Sequence, residues 1–480
     1  MNKEGMKDAV VNEDINAAVN EDTNAVDINM TIAIIGGRHY RKVEKAETGV
    51  MCGTKDRDLV LVQKHENPGS NKHGVFDYEI MCRCTGINDN NIDYTNVEEC
   101  FMELINESRR FKSFIIPFNH FDSLDARCSY TVAELPPDFY NKYETIDKVH
   151  GKKNFAFHSR VLTVLNLAEA FFSLASYFDG YLKRLVPEAI YVNIEDGDVK
   201  IIIDRMMSRD IDSQNANNEY LRLICDEEEV IDQSSLLRFL AYISFRLICN
   251  ENPYDGKDAL IDYPILTTSA YKTINSGIYG FVFSETRDEY SEYIDKEAYQ
   301  KWNMLPGKIK KIFSAVLDSE DETLGVEEWQ KYMRMLRDCL VLVNGQFKLC
   351  DPDSSNKVSF LVSNDYSIPI WPRKAVYWYH VGIPADTVEK EVIAGINVDG
   401  YIENKTDEQW VIDNKSKMAY LAPGKSIKPE VGMDIEINNT HFKVVNGEKV
   451  VRMSVDMGSP PDSVMRNNSQ IIDYFDKIDE

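Results

Sequence analysis

Carboxylates, the side chains that hold hard metal ions, cluster toward the end of Leu165–Asp204, LNLAEAFFSLASYFDGYLKRLVPEAIYVNIEDGDVKIIID, whose last residue is Asp204. Magnesium takes oxygen ligands and, in phosphoryl transfer, bridges carboxylates to phosphates. A single carboxylate is half of such a site. Asp196, Asp198 and Asp210 are further acids close to Asp204 in the chain. Two other residues of the stretch work against the chemistry. Arg184 is cationic at any ordinary pH and accepts no proton, and Ala189 has no oxygen to offer a cation.

The elements that must position these groups are legible around them. Val161, Leu165, Ala168, Phe172 and Ala175 recur at helical spacing, which predicts a helix over Val161–Tyr177 with one buried stripe. A loop containing Tyr181–Pro187 follows. Two short apolar runs, Ala189–Ile194 and Val199–Ile203, then flank Glu195-Asp196-Gly197-Asp198, which is tight-turn chemistry and predicts a hairpin. Further on, Asp232 opens a helix over Ser235–Asn250 that is apolar nearly all round, as a core helix is.

Upstream, Thr31–Ile35 and the alternating Asp58–Lys64 read as strands, and Tyr40–Glu47 and Val50–Cys52 as a hairpin about Thr48-Gly49. Val97–Arg110 has helical spacing. Phe114–Pro117 enters a strand whose partner is Tyr130–Leu135, across a turn at Asp122–Arg127. The first 30 residues, rich in Asn, Asp and Glu, read as a disordered acidic tail without the pattern of a secretory signal.

Charge and cysteine usage narrow the setting. The formal net charge of -25 argues against a nucleic-acid backbone or an anionic membrane as the main partner. No apolar run reaches the length of a spanning helix. Nine cysteines in 480 residues form no dense framework, so a reducing cytoplasm is expected. Cys82-Arg83-Cys84 is too tightly spaced for two ligands of one structural zinc, and Cys339 with Cys350 does not make a four-ligand site.

Three later phrases carry a family resemblance. They are Asn252-Pro253-Tyr254-Asp255-Gly256-Lys257 after the core helix, Phe281-Val282-Phe283, and Trp302-Asn303-Met304-Leu305-Pro306-Gly307-Lys308-Ile309-Lys310-Lys311-Ile312-Phe313, with a final helix at Glu327–Leu340. Together with the helix–loop–hairpin–Asp layout, they resemble bacterial serine/threonine protein kinases of the eukaryotic type, the group linked to tellurite-resistance-type operons. The resemblance covers about residues 31–345 and implies an α+β, two-lobed kinase-like fold. It implies as partners a metal-dependent phosphatase and a von Willebrand-type protein, found beside such kinases.

The resemblance also assigns positions. Arg184 falls where the family has its catalytic Asp, and Ala189 where it has a metal-binding Asn. Asp204 is the candidate metal ligand. Lys64 is the candidate nucleotide lysine, Glu79 its ion-pair glutamate on a helix beginning in Asp77–Cys84, and Asp232 an anchor for the catalytic-loop backbone. The glycine loop is reduced to Gly49 and Gly53, too few for backbone N–H groups to close on phosphates. The expectation is therefore a pseudokinase, a regulatory or scaffold protein with no cofactor. The alternative is an atypical kinase using ATP and magnesium through displaced acids.

Past Val343 short, regularly spaced strands between Ala375 and Val445 predict a small β-sandwich. Asn404-Lys405-Thr406 and Pro423-Gly424-Lys425-Ser426 resemble loops of forkhead-associated-like modules, which read phosphothreonine, although the Arg and Ser signature of such readers is missing. This gives a third reading, a binding module acting through the β part. The expected boundaries are a tail over 1–30, an N-lobe over 31–136, a C-lobe over 137–345, a linker over 346–371, a β domain over 372–446 and a tail over 447–480.

Overall fold

In a computed structural model, the chain is α+β, with helices and several separate sheets. The described residues are 33–35, 38–42, 59–65, 79–86, 113–115, 117–122, 128–136, 139–149, 151–177, 182, 184–185, 187–203, 206, 223–224, 231–254, 262, 280–284, 296–318, 324–343, 345–350, 358–383, 392–415 and 417–446. The strands before residue 136, Phe114 and Ile115 apart, are described by backbone alone, and so are Arg184 and Glu188.

The first sheet has six strands: β1 (Ala33–Ile35), β2 (Arg38–Lys42), β3 (Leu59–His65), β4 (Glu79–Gly86), β6 (Pro117–Asp122) and β7 (Cys128–Leu135). Their order is β1-β2-β3-β4-β7-β6, antiparallel throughout. Ile35 pairs with Arg38; the Thr48-Gly49 hairpin lies outside the described residues. Between them, β5 (Phe114–Ile115) leaves this sheet and pairs in parallel with a strand of the next one.

One sequence expectation is corrected here. Asp77–Cys84 does not begin a helix; from Glu79 onward it is strand β4, held between β3 and β7. The reason is visible in EIMCRC. Ile80, Cys82 and Cys84 recur every second residue, the period of a strand rather than of a helix. The expected helix at Val97–Arg110 lies outside the described residues.

The helical part follows. Short helices α1 (Phe139–Lys142) and α2 (Ile146–Val149) enclose β8 (Tyr143–Thr145). Next come α3 (Phe157–Tyr177), β9 (Arg184–Leu185), β10 (Ile190–Asn193), β11 (Val199–Ile202), β12 (Leu223–Ile224), α4 (Gln233–Cys249), α5 (Lys296–Met304), α6 (Gly307–Leu317) and α7 (Val326–Cys339). β10 and β11 form the expected hairpin, extended by β8 on one side and β5 on the other. α4 is buried from Leu236 to Cys249 except at Arg238, so it forms the axis of the core.

Around α4 the sequence phrases become packing. Phe281 and Phe283 meet Phe245 of α4, and the Phe283 ring lies flat on Trp302 at 4.8 Å and 7°. Phe313 presents an edge to Trp329 at 5.0 Å. Asn252 folds the preceding turn by accepting from the Tyr254 N–H at 2.9 Å, and Val282 N–H donates to the Pro253 carbonyl at 2.8 Å.

The C-terminal part holds β13 (Leu340–Val343), β14 (Gln346–Leu349), β15 (Ser359–Val362), β16 (Ser367–Pro369), β17 (Ala375–Tyr377), β18 (Val392–Ile396), β19 (Ile402–Asn404), β20 (Trp410–Asn414), β21 (Lys417–Leu421), β22 (Ser426–Ile427), β23 (Asp434–Ile437) and β24 (Thr440–Asn446). β13 and β14 form a hairpin off α7. Two sheets, β16-β15-β24-β23-β20-β21 and β17-β18-β19-β22, share one apolar core that includes Leu361, Val376, Ile396, Trp410 and Phe442. The stretch 346–371 differs from the expected linker. It supplies β14, β15 and β16, because Phe360, Leu361 and Ile368 are apolar enough to enter these cores.

Candidate functional site

The candidate site lies between α3 and the β10–β11 hairpin. Leu182 and Leu185 are buried and tether the intervening loop, which is also held by strand pairing of Leu185 with Leu223 and of Arg184 with Ile224. The Ile231 N–H donates to the Leu182 carbonyl at 3.2 Å. A single 3-10 turn, Pro187–Ala189, leads into β10, and Ala189 is fully buried in the core. At that position the chain offers a methyl group enclosed by apolar neighbours and no oxygen.

Asp232 takes a different bond from the one expected. Its carboxylate caps α4 by accepting from the Ser235 N–H at 2.7 Å, and it is exposed. The backbone of Ile231, one residue earlier, is what meets the loop. An Asp at the residue before a helix satisfies one of the orphan N–H groups there, which accounts for its identity without a second role.

The hairpin turn carries two of the three further acids, Asp196 and Asp198, and both are engaged; Asp210 lies outside the described residues. The Tyr143 hydroxyl donates to Asp198 Oδ2 at 2.6 Å, and Lys200 Nζ lies 2.9 Å from the same oxygen. Burial, with Asp198 beside it, pushes the Tyr143 phenol well above its usual range. Asp196 accepts from the Asp198 N–H at 2.9 Å, and burial raises its carboxyl. Below the turn, Ser159 Oγ donates to the Glu195 carbonyl at 2.9 Å and Asn166 Nδ2 to that of Gly197 at 2.8 Å. The acids thus build a turn welded onto α3.

The remaining candidates fall as follows. Asp204 lies outside the described residues. Lys64 is on β3, paired with Tyr40 and separated from β7 by β4. Glu79 is on β4, opposite Gln63 and Leu135, one register step from Lys64. The one basic residue of β4 is Arg83. Among the described residues no three His, Cys, Asp or Glu side chains gather as a metal site, and no helix is long and apolar enough to cross a membrane.

In the C-terminal part the two loops singled out in the sequence meet. The Gly424 N–H donates to the Asn404 carbonyl at 2.8 Å, and the Asn404 N–H to that of Lys425 at 3.0 Å. The Asn404 amide is fully buried and bonds the Glu408 and Leu421 carbonyls. Its Oδ1 accepts from Thr406, whose own hydroxyl takes the Trp410 indole N–H at 3.1 Å. These side chains hold the loop itself, and Asp407 and Glu408 on it are exposed acids that repel a phosphate.

Sequence reasoning missed several buried polar residues. His158 is enclosed in the core, its ring 4.4 Å from that of Phe347, and burial pulls its pKa down to about 4. The Arg160 guanidinium is buried and donates to the carbonyls of Phe155, Lys152 and Leu247. Asp338 and His380, 42 residues apart, form a buried pair at 2.7 Å. No local pattern marks such partners; only the fold brings them together.

No protein-family model matches the chain, and no curated protein matches it. Among solved structures, that of an apo pseudokinase is similar at 10% identity and a TM-score of 0.33, over 59% of this chain and 88% of its own. That likeness is distant.

Proposed function

We propose that the chain is a kinase-fold pseudoenzyme, acting as a regulatory or scaffold protein in a bacterial phosphorylation-type signalling system in the cytoplasm. The observation that carries this is Ala189. In the loop between α3 and the β10–β11 hairpin, the position where the resemblance requires a metal-binding Asn is a buried methyl group. Arg184 stands where the proton acceptor is needed, and a guanidinium takes no proton.

The order of elements supports the kinase-like, two-lobed layout. A six-stranded antiparallel sheet ends at Glu134-Leu135-Pro136, and α3, a tethered loop, a hairpin and the buried helix α4 follow. On this layout β4, not β3, lies beside β7, the strand that leads into the hinge. A nucleotide lysine is then wanted on β4, where Arg83 is the only base, and Lys64 sits one strand away.

The atypical-kinase alternative needs a second metal ligand beside Asp204. Asp198 is tied to Tyr143 and Lys200, and Asp196 to its own turn, so neither is a ready ligand, which leaves Asp210, outside the described residues, to supply it. The phosphothreonine-reader alternative is opposed by the internal bonding of Asn404 and Thr406. On the proposed reading the partners are proteins, a metal-dependent phosphatase and a von Willebrand-type protein among them. The test of nucleotide use is thermal unfolding of the full chain with magnesium and ATP. An unchanged midpoint is expected; a rise that depends on both magnesium and ATP favours the kinase alternative.

A further inference from the structure

The C-terminal sheets meet the helical part through a cluster of charges that belongs to neither core alone. Asp338, in the last turn of α7, is 1% exposed. Its Oδ2 is 2.7 Å from His380 Nε2, and its Oδ1 accepts from Arg337 at 3.2 Å and from the Tyr379 hydroxyl at 3.4 Å. His380 lies on the far side, in the 3-10 turn Trp378–Val381 that follows β17. Its Nδ1 accepts the Tyr377 N–H at 2.8 Å. That fixes the tautomer: Nδ1 is bare, so the hydrogen is on Nε2 and points at Asp338.

Lys374 closes the arrangement from the same side as His380. Its ammonium donates to the carbonyls of Leu340 at 3.0 Å and Arg337 at 3.3 Å, which end α7. A cation on the last carbonyls of a helix also meets the negative end of its dipole. The Arg337 guanidinium lies 4.1 Å over the Tyr377 ring and that of Arg334 4.4 Å over Tyr379. Beside this polar half is an apolar one. Val341 and Cys350 pack with Val358 and Phe360, and the Trp371 indole donates to the Leu342 carbonyl at 2.9 Å.

We propose that this cluster is an interlock that makes the helical part and the C-terminal sheets one cooperative body, so that the C-terminal sheets present their surface at a fixed orientation to α3 and α7. The physical ground is the cost of opening. Opening gives up the directed bonds of Asp338, His380 and Lys374 and exposes the apolar half, Val341, Cys350, Val358 and Phe360, to water. Burial acting alone would raise the Asp338 carboxyl, yet His380, Arg337 and Lys374 hold it below its usual range, consistent with an ionised centre. The inference does not depend on the kinase-like reading.

The test is hydrogen exchange by mass spectrometry on the full chain, comparing α4 with β20. In the wild type the most protected amides of both are expected to exchange through one opening, with protection factors within about threefold. In Asp338→Asn, which keeps the shape and removes the charge, β20 and β17 are expected to exchange at least tenfold faster while α4 is unchanged. Lys374→Met is expected to do the same and serves if Asp338→Asn fails to fold. The interlock is overturned if β20 already exchanges independently of α4 in the wild type, or if a folded variant leaves β20 protected as before.

Discussion

Gly197 is a residue whose identity the structure fixes. It sits at φ +78°, and a Cβ there would lie 2.5 Å from the Ser159 carbonyl oxygen and 2.9 Å from the Thr163 nitrogen, both backbone atoms of α3. Neither can swing aside. Gly197→Ala is therefore expected to cost about 2 kcal/mol or more, the left-handed conformation alone accounting for roughly 1–2. Chemical denaturation of the purified variant measures it. His158 gives a pH dependence. Ser159 Oγ donates its proton to the Glu195 carbonyl, so the 3.2 Å contact with His158 must use Nε2–H, and the buried Nδ1 has no bond partner among the described residues. A second proton on this ring is disfavoured in the fold and accepted in the unfolded chain. The native state then binds fewer protons between pH 6.5 and about 4, and stability falls as the pH drops through that window. The loss is of order 3 kcal/mol at most. Urea midpoints across the window are expected to show this slope, and His158→Phe to flatten it.

At the scale of elements, the aromatic knot around α4 is the support of the helical part. Trp302 stacks on Phe283 and touches Phe245, Phe281 and Phe313. Trp302→Ala is expected to destabilise by about 3–5 kcal/mol, the range for removing a large buried ring, with the loss read from denaturation. Periodicity made this part legible. The stripe of α3, the all-round apolar α4 and the turn acids at Glu195–Asp198 each announce their element locally. At β4 the period of two in EIMCRC already marks a strand, and it is the family resemblance that points to a helix instead. Strands β14–β16 were also missed, since they are short and their apolar residues find partners on β13, α3 and β24. The Asp338–His380 pair was beyond reach, since its members are joined by tertiary packing and by no spacing rule.

At the scale of the molecule, the proposed pseudoenzyme pairs a degenerate loop with a C-terminal part held by the proposed interlock. The engaged acids of the turn and the self-bonded loops of the C-terminal sheets fit the proposed scaffold role, in which the chain presents surfaces. Lost catalytic groups that act as a unit are not restored one at a time. For that reason Arg184→Asp alone is expected to remain inactive, and Arg184→Asp with Ala189→Asn to regain at most magnesium-dependent nucleotide binding, read by thermal shift. The most direct measurement of the central claim is incorporation of labelled phosphate from ATP, by the wild-type chain with magnesium, into itself and into a general acceptor protein. No incorporation above a protein-free control is expected. Incorporation by the wild type that disappears in Asp204→Ala would show that the frame still transfers phosphate, and the pseudoenzyme account would be wrong.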